Sequence, residues 1–219
     1  MITVLRRTPG KVISLGFLSI GVFVLMQVIL PITSFQIWDL QQKIANQTLI
    51  SPKQKIDRQI LGISVQNKDN FPAFTSYLKR ETQPNYSRFG LSVPRLRIEK
   101  TDVLVDTNDL SKGLVHLPGS ALPGEKGNVF ISGHSALNQF FWQKNAVFAK
   151  LADLKKGDQI IAETLGSKFV YEVIDFKIVD PQDLSVIIPP EDRGRYISLM
   201  TCVPPGLNFK RLIVLGKML

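Results

Sequence analysis

Length, composition and charge restrict the function classes open to this chain. Its 219 residues suffice for one domain with appendages. The net charge of +9 is spread out: residues 1–11 carry three basic side chains, and residues 88–219 hold 17 basic against 14 acidic ones. Because no basic block with interleaved aromatic residues occurs, the sequence argues against a nucleic-acid-binding protein.

The first element in chain order is an uncharged apolar segment. No charged side chain occurs between residues 12 and 38, and the run Val12–Leu30 is long enough to cross a bilayer as a helix. Three basic residues precede it, which predicts a cytoplasmic N-terminus, 1–11. A cleaved signal peptide is the alternative, but this run exceeds the usual apolar core and no clear cleavage site follows. We therefore predict an uncleaved transmembrane signal-anchor at 12–34, with the rest of the chain extracytoplasmic.

A change of composition separates the next segment from a folded domain. Residues 35–87 contain many Lys, Gln, Asn and Pro residues without sustained periodicity, which predicts an extracytoplasmic stalk or linker. From about Arg88 onward, runs of Val, Ile, Tyr, Phe and Leu are separated by clusters of Gly, Pro, Asp and Asn. That pattern is typical of short β-strands, so we place the catalytic or binding domain at 88–219.

Eight short strands are predicted in this domain, and such a number indicates a closed barrel or a sandwich, because closure removes exposed edges. Pro94 marks the first strand as an edge or bulged strand. Between the fourth and fifth strands, the spacing of Phe141, Phe148 and Leu151 predicts a helix over 138–151. The predicted strands are 90–98, 103–106, 114–116, 128–132, 158–163, 168–178, 195–201 and 210–216.

Three chemically competent side chains lie at the ends of predicted strands. His134 lies just after the fourth strand, Cys202 directly follows the seventh, and Arg211 lies at the start of the eighth. Cys202 is the single cysteine of the sequence. Outside the cytoplasm structural cysteines usually form disulfide pairs, so a lone thiol there indicates reactivity. The alternative is a buried, inert cysteine, because free cysteine is among the most buried residue types.

Together these three groups suffice for covalent acyl transfer. His134 can accept the proton of the Cys202 thiol and return it to a leaving amine. Arg211 supplies several N–H donors and a permanent charge for an oxyanion. If the last two strands are neighbours, Cys202 and Arg211 lie at the same end of the barrel. For Arg211, a surface charge that begins a strand is the alternative.

Several sequence blocks resemble the sortase family. The stretch Ser198–Cys202 is similar to the Thr-Leu-x-Thr-Cys signature, with Ser in place of the first Thr. Residues 116–134 resemble the segment that leads to the family's catalytic Gly-His. The turn at 156–158 and the spacing from the cysteine to the arginine also match. The resemblance covers roughly 88–219 and is closest to sortase classes C, D and E.

The resemblance implies an all-β fold: a closed eight-stranded β-barrel with short helices, preceded by an N-terminal transmembrane helix. It also implies a cysteine transpeptidase in the cell membrane, with a single span and an extracytoplasmic catalytic domain. Such an enzyme cleaves a Leu-Pro-x-Thr-Gly-like sorting signal near the C-terminus of a secreted protein and forms a thioacyl intermediate. An amine, from a cell-wall precursor or a pilin lysine, then resolves that intermediate.

The resemblance also implies roles for individual residues. Cys202 corresponds to the nucleophile, His134 to the general acid and base, and Arg211 to the group that stabilises the substrate or the oxyanion. In sortases the connection between the sixth and seventh strands, here 184–190, helps to form the substrate groove. The residues predicted to bind substrate are Thr201, His116, Ile187 and Ile188. Loop packing is the alternative for the two isoleucines, and a structural role is the alternative for His116.

Other functions remain open at this point. An L,D-transpeptidase also uses His and Cys, but its Ser-His-Gly-Cys-x-Arg motif is absent, because Met200 and Thr201 precede Cys202. An anchored, non-enzymatic binding domain would hold an inert cysteine, and a sortase-like protease would transfer the acyl group to water. We predict no metal and no cofactor, since two His and one Cys far apart fit no zinc spacing and no calcium-loop motif occurs.

Overall fold

The computed structural model describes residues 83–135, 146–205 and 209–219, together with Arg80, two strands between 63 and 76, and scattered positions between 14 and 37. The chain divides into two compact units, Met1–Leu49 and Ile50–Leu219.

The described positions of the first unit are helical. In the described part of the chain, no helix combines the length and the apolar character needed to cross a membrane. The predicted transmembrane segment 12–34 lies partly outside the described residues, and it stays a prediction.

The second unit contains a hairpin and a closed barrel. Its described strands are β1 (Ile63–Lys68), β2 (Phe71–Ser76), β3 (Arg88–Val93), β4 (Ile98–Leu104), β5 (Leu114–His116), β6 (Gly127–Ser132), β7 (Gln159–Thr164), β8 (Ser167–Val179), β9 (Arg195–Val203) and β10 (Lys210–Met218). Strands β1 and β2 pair with each other, and the other eight close in the order β10-β8-β7-β3-β4-β5-β6-β9. Neighbours are antiparallel except for the parallel pairs β4–β5 and β6–β9. The predicted eight-stranded barrel is confirmed.

Six of the eight predicted barrel strands agree with the observed ones to within about two residues. The first predicted strand, 90–98, is wrong because Pro94 ends it. Pro94 begins a 3₁₀ helix, Pro94–Leu96, and Arg97 then adopts a left-handed conformation with φ of 57°. Proline has no N–H to donate to a strand ladder, so the chain leaves the sheet there, and β4 begins only at Ile98.

Two further differences concern the connections. The β1–β2 hairpin lies in the segment predicted as a stalk, where alternation is limited to four residues, Ile63 to Gln66, and Pro72 interrupts the second strand. The helix predicted over 138–151, including Phe141, falls mostly outside the described residues. At its described end the chain forms turns and a 3₁₀ helix, Leu151–Asp153.

An apolar cluster joins three barrel strands to the connection between β8 and β9. That connection contains a 3₁₀ helix, Leu184–Ile187, two of whose residues are buried. The cluster consists of Leu117, Phe130, Val186, Ile187, Met200 and Ile213. It fixes the connection close to the ends of β6, β9 and β10.

Candidate active site

Strands β9 and β10 bring Cys202 and Arg211 together at one end of the barrel. In this antiparallel pair Cys202 lies directly opposite Arg211, and Met200 lies opposite Ile213. Opposed residues of antiparallel strands project to the same face, with Cβ atoms about 4.5–5.5 Å apart. The prediction that the thiol and the guanidinium share one end of the barrel is confirmed.

His134 follows β6, the other neighbour of β9. These strands run parallel and pair Ser132 with Met200, and the amide of Gly133 donates to the Met200 carbonyl at 3.0 Å. His134 and Cys202 each lie two residues beyond that pair. Cys202 and Arg211 therefore share one face of β9 and β10, and His134 lies just beyond the same end of the adjacent strand β6.

A fixed cation lies beside the thiol. Burial raises the pKa of Cys202 above its usual range, while the positive charge of Arg211 acts to lower it. Arg211 is only 1% exposed, and its Nη1 donates to the Lys210 carbonyl at 3.1 Å. Burial lowers the pKa of the guanidinium as well, and Cys202 opposes that effect. A guanidinium nevertheless keeps its charge in proteins, so it can stabilise a thiolate or an oxyanion.

The imidazole is held by contacts at the ring and at the main chain. Burial lowers the pKa of His134, while a hydrogen bond with the Leu110 backbone acts to raise it. Its main-chain carbonyl accepts a hydrogen bond from the Phe148 amide at 3.2 Å. A ring nitrogen engaged by the backbone fixes the tautomer and leaves the other nitrogen for proton transfer.

Thr201 projects to the opposite face from its neighbour Cys202. Its hydroxyl is buried and donates to the Gly133 carbonyl at 2.9 Å. The side chain therefore joins the strand that carries the thiol to the residue before His134. This orientation favours a supporting role over the substrate contact predicted from the sequence.

His116 is fully buried in a polar network. Its Nε2 lies 2.9 Å from the Ala121 carbonyl and 2.8 Å from the Ser120 hydroxyl, and its Nδ1 lies 3.3 Å from the Asp106 carboxylate. The same carboxylate accepts a hydrogen bond from Arg80 at 2.6 Å. Because both ring nitrogens have partners inside the protein, this placement favours a structural role over the predicted substrate contact.

The two predicted groove residues differ in exposure. Ile187 is buried in the apolar cluster, whereas Ile188 is 39% exposed. Their turn is tied to β6 by Asn128, whose Nδ2 donates to the carbonyls of Val186 and Ile187 at 3.3 and 3.1 Å. Ile188 is therefore placed where a ligand can reach it, and Ile187 anchors the turn.

Sequence reasoning missed the residues that support the site. Leu110 contributes a backbone group, which every residue possesses, so its side chain gives no signal. Asn128 opens an apolar run and resembles an ordinary strand boundary. Within the described ranges, no group of three or more His, Cys, Asp or Glu residues is arranged to hold a metal ion.

Comparison with known proteins shows the family of this chain. Residues 91–219, more than half of the chain, match the sortase domain. The chain belongs to the sortase family. The resemblance inferred from the sequence motifs is thereby confirmed.

Individual sortases are similar to this chain at about 30% identity. Sortase D of Bacillus subtilis is 34% identical over 131 residues, which cover 58% of this chain and 61% of the relative, less than two-thirds of its length. Sortase A from Corynebacterium diphtheriae, in a lid-mutant form, has a TM-score of 0.54 at 29% identity and covers 64% of this chain and 73% of its own. Sortase C from Clostridium perfringens, solved with the C-terminal cell wall sorting motif, has a TM-score of 0.52 at 30% identity, covering 59% and 69%.

Proposed function

We propose that this sortase is a membrane-anchored cysteine transpeptidase that cleaves a Leu-Pro-x-Thr-Gly-like sorting signal and transfers the acyl group to an amine. The register of β6, β9 and β10 carries the proposal, because the three strands bring an imidazole, a thiol and a guanidinium to the same end of the barrel. Membership of the sortase family supports it. The Clostridium perfringens relative, whose structure includes a sorting motif, supports the substrate class.

In the first half-reaction His134 takes the proton of the Cys202 thiol, and the sulfur attacks the carbonyl carbon of the signal's Thr. A C–S bond forms, and the carbonyl oxygen becomes an oxyanion whose charge Arg211 stabilises. When the tetrahedral intermediate collapses, the C–N bond to Gly breaks, and His134 gives its proton to the leaving amine. The product is a thioester on Cys202.

In the second half-reaction an amine attacks the thioester carbon. The amine comes from a cell-wall precursor or a pilin lysine, and it loses a proton to His134 as the new C–N bond forms. The C–S bond then breaks, and the departing thiolate recovers that proton. Water in place of the amine would give hydrolysis, which is the alternative outcome for the same acyl-enzyme.

The proposed location follows from the N-terminal sequence. A span at 12–34, with 1–11 in the cytoplasm, would leave the stalk 35–87 and the catalytic domain 88–219 outside the cell membrane. The uncharged run behind three basic residues supports this arrangement. Protease added to intact cells should digest the catalytic domain. After the membranes are extracted with alkaline carbonate, the chain should remain in the membrane pellet. Full protection from the protease would contradict the orientation.

The decisive experiment is intact-mass spectrometry of the full-length chain after incubation with pooled Leu-Pro-x-Thr-Gly-like peptides. We expect a mass increase equal to the peptide's N-terminal acyl fragment, and no increase in the Cys202→Ala control. Adding an amine should remove the adduct and yield an amine-linked peptide, whereas a free carboxylic acid would indicate hydrolysis.

Two further outcomes would count against the proposal. A folded wild-type protein that is alkylated at Cys202 but neither cleaves nor binds any peptide covalently would exclude this substrate class. A folded protein in which Cys202 also resists alkylation would favour the non-enzymatic binding domain.

A further inference from the structure

We propose that Thr201 is a positioning residue, whose hydroxyl fixes the peptide between Gly133 and His134 and thereby aligns the imidazole with the thiol of Cys202. The inference rests on the proposed function, because it concerns the same proton transfer. It extends that function to a side chain that lies on the opposite face from Cys202 and Arg211.

The peptide before His134 is constrained on both sides. The amide of Gly133 donates to the Met200 carbonyl at 3.0 Å, and the carbonyl of Gly133 accepts from the Thr201 hydroxyl at 2.9 Å. That carbonyl belongs to the planar peptide unit whose nitrogen is the His134 amide. Fixing the plane therefore sets the direction in which the His134 side chain leaves the backbone.

Packing leaves this peptide little freedom to move elsewhere. A Cβ atom on Gly133 would lie 2.5 Å from Cδ2 of Leu114 and 2.6 Å from Cδ2 of Phe148, so the backbone is in close contact with both side chains. The Phe148 amide also donates to the carbonyl of His134. Of these constraints, the Thr201 hydrogen bond comes from a side-chain hydroxyl and can be removed with little change of volume.

The orientation of Thr201 favours positioning over substrate contact. Its side chain is 3% exposed, and strand alternation directs it away from the face of Cys202. A β-branched side chain is also stiff about χ1, so the hydroxyl direction is largely preset. Because Thr201 and Cys202 are adjacent, one strand segment carries both the thiol and the group that holds the imidazole.

The test compares hydroxyl-free and hydroxyl-bearing variants of the full-length chain. Thr201→Val keeps the shape and loses the hydroxyl, whereas Thr201→Ser keeps the hydroxyl. Thr164→Val, at the β7–β8 turn and the other end of the barrel, is the matched control. With a fluorogenic Leu-Pro-x-Thr-Gly-like peptide, we expect kcat of Thr201→Val to fall at least about tenfold and KM to change less than about twofold. Thr201→Ser and Thr164→Val should keep kcat within about threefold of wild type.

A second measurement needs no substrate. The sequence contains two histidines, so the NMR signal of the His134 ring can be followed through a pH titration with His116 as an internal reference. Thr201→Val should displace the His134 signal and raise its titration midpoint, because a loosened ring is less buried. Thr201→Ser should match the wild type in both respects. The His116 signal of each variant should coincide with that of the wild type.

The outcomes separate this inference from the proposed function. A wild-type protein without activity toward any peptide would refute the transpeptidase, while the His134 signal would still decide the positioning role. An unchanged kcat together with an unchanged His134 signal in Thr201→Val would overturn that role. A raised KM at constant kcat would show substrate contact instead and would also overturn it. If circular dichroism shows that Thr201→Val is unfolded, Thr201→Ala against Thr201→Ser makes the same comparison.

Discussion

At the scale of single residues, burial and Arg211 act in opposite directions on the Cys202 thiol. Burial disfavours the thiolate and raises the pKa of Cys202, and the adjacent guanidinium offsets part of that effect. Burial also lowers the pKa of His134. Both shifts favour the uncharged forms, the thiol of Cys202 and the neutral imidazole of His134.

Substitution of Arg211 tests this balance. Arg211→Gln should raise the pKa of Cys202 further, because the charge that lowers it is lost. Iodoacetamide reacts with the thiolate, so at a fixed pH below the midpoint the alkylation rate should fall about tenfold for each unit that the pKa rises. Arg211→Lys keeps the charge, and its alkylation midpoint should stay near that of wild type. Peptide cleavage should fall in both variants, since lysine lacks the planar donor fork.

The measurement is the alkylation rate as a function of pH. Lys168→Gln, an exposed change at the start of β8, removes one positive charge at the other end of the barrel and should leave the midpoint in place. Thermal melts must show that each Arg211 variant is folded, because the side chain is buried. An identical midpoint in Arg211→Gln and wild type would refute the electrostatic role.

Some of the site residues could be predicted from the sequence, and others could not. Cys202, His134 and Arg211 stand at the ends of apolar runs, and strand pairing brings such ends together, so their grouping was predictable. The inward direction of Thr201 follows from simple alternation with Cys202, a signal that the family motif obscured. The contact between His134 and the Leu110 backbone could not be predicted, because it depends on a loop conformation and on no particular side chain.

At the scale of elements, the 3₁₀ helix Leu184–Ile187 is anchored by one polar side chain and one apolar cluster. Asn128 donates to two carbonyls of this turn while it is only 4% exposed. Val186 and Ile187 meanwhile pack among apolar residues of β6, β9 and β10. The anchored turn holds Ile188 at the surface, so the shape of any groove wall there depends on Asn128.

Removing the Asn128 amide should loosen that wall. Asn128→Ala leaves two buried carbonyls without their donor, and the free energy of unfolding should fall by about 1–3 kcal/mol. If the turn lines the substrate groove as proposed, KM for the peptide should rise more than kcat falls, because the turn carries none of the groups that transfer protons. Urea unfolding and steady-state kinetics measure the two effects. Ser185→Ala, on the exposed side of the same turn, should change stability by less than about 0.5 kcal/mol. Equal behaviour of the two variants would contradict the anchoring role.

Strands could be predicted from the sequence where a short run of residues carries the pattern of a strand. Six barrel strands alternate or run apolar between turn residues, and they lie where predicted. Pro94 signalled a disturbance, but the sequence did not show that the chain would leave the sheet and re-enter it as a separate strand at Ile98. In the β1–β2 hairpin, apolar and polar residues alternate only from Ile63 to Gln66, and Pro72 argues against the second strand.

At the scale of the whole molecule, Arg80 ties the chain before the barrel to the barrel itself. Its guanidinium donates to the Asp106 carboxylate at 2.6 Å and to the Ser120 carbonyl at 2.5 Å, and its side chain is 11% exposed. Asp106 in turn contacts the buried His116. The number of short strands left a closed barrel and a sandwich open, and the sortase resemblance implied the barrel. The attachment through Arg80 was not predictable, because a charged residue in a polar segment resembles an ordinary solvated one.

Loss of this attachment should destabilise the barrel. Arg80→Ala leaves the Asp106 carboxylate and the Ser120 carbonyl without that donor, and we expect the free energy of unfolding at pH 7 to fall by about 1–2 kcal/mol. A chain that begins at residue 88, the predicted domain boundary, also lacks Arg80 and should show a loss of similar or larger size. Urea unfolding of the wild type, Arg80→Ala and the shortened chain measures the loss of stability. Arg88→Ala, which removes a largely exposed pair with Asp102, should change stability by less than about 0.5 kcal/mol.

The pH dependence of the stability lost in Arg80→Ala identifies the cause of that loss. Burial alone would raise the pKa of Asp106, but the hydrogen bond with His116 and the charge of Arg80 outweigh it, and the pKa lies below its usual value. A carboxylate with a lowered pKa stabilises the folded state above its unfolded pKa of about 3.9, and this stabilisation is lost as the pH falls through the folded pKa. The gap between wild type and Arg80→Ala should therefore be widest near pH 7 and should narrow below about pH 4. A gap that stays constant across this range would assign the loss to the Ser120 hydrogen bond and to packing of the Arg80 stem, and would refute the ionic attachment.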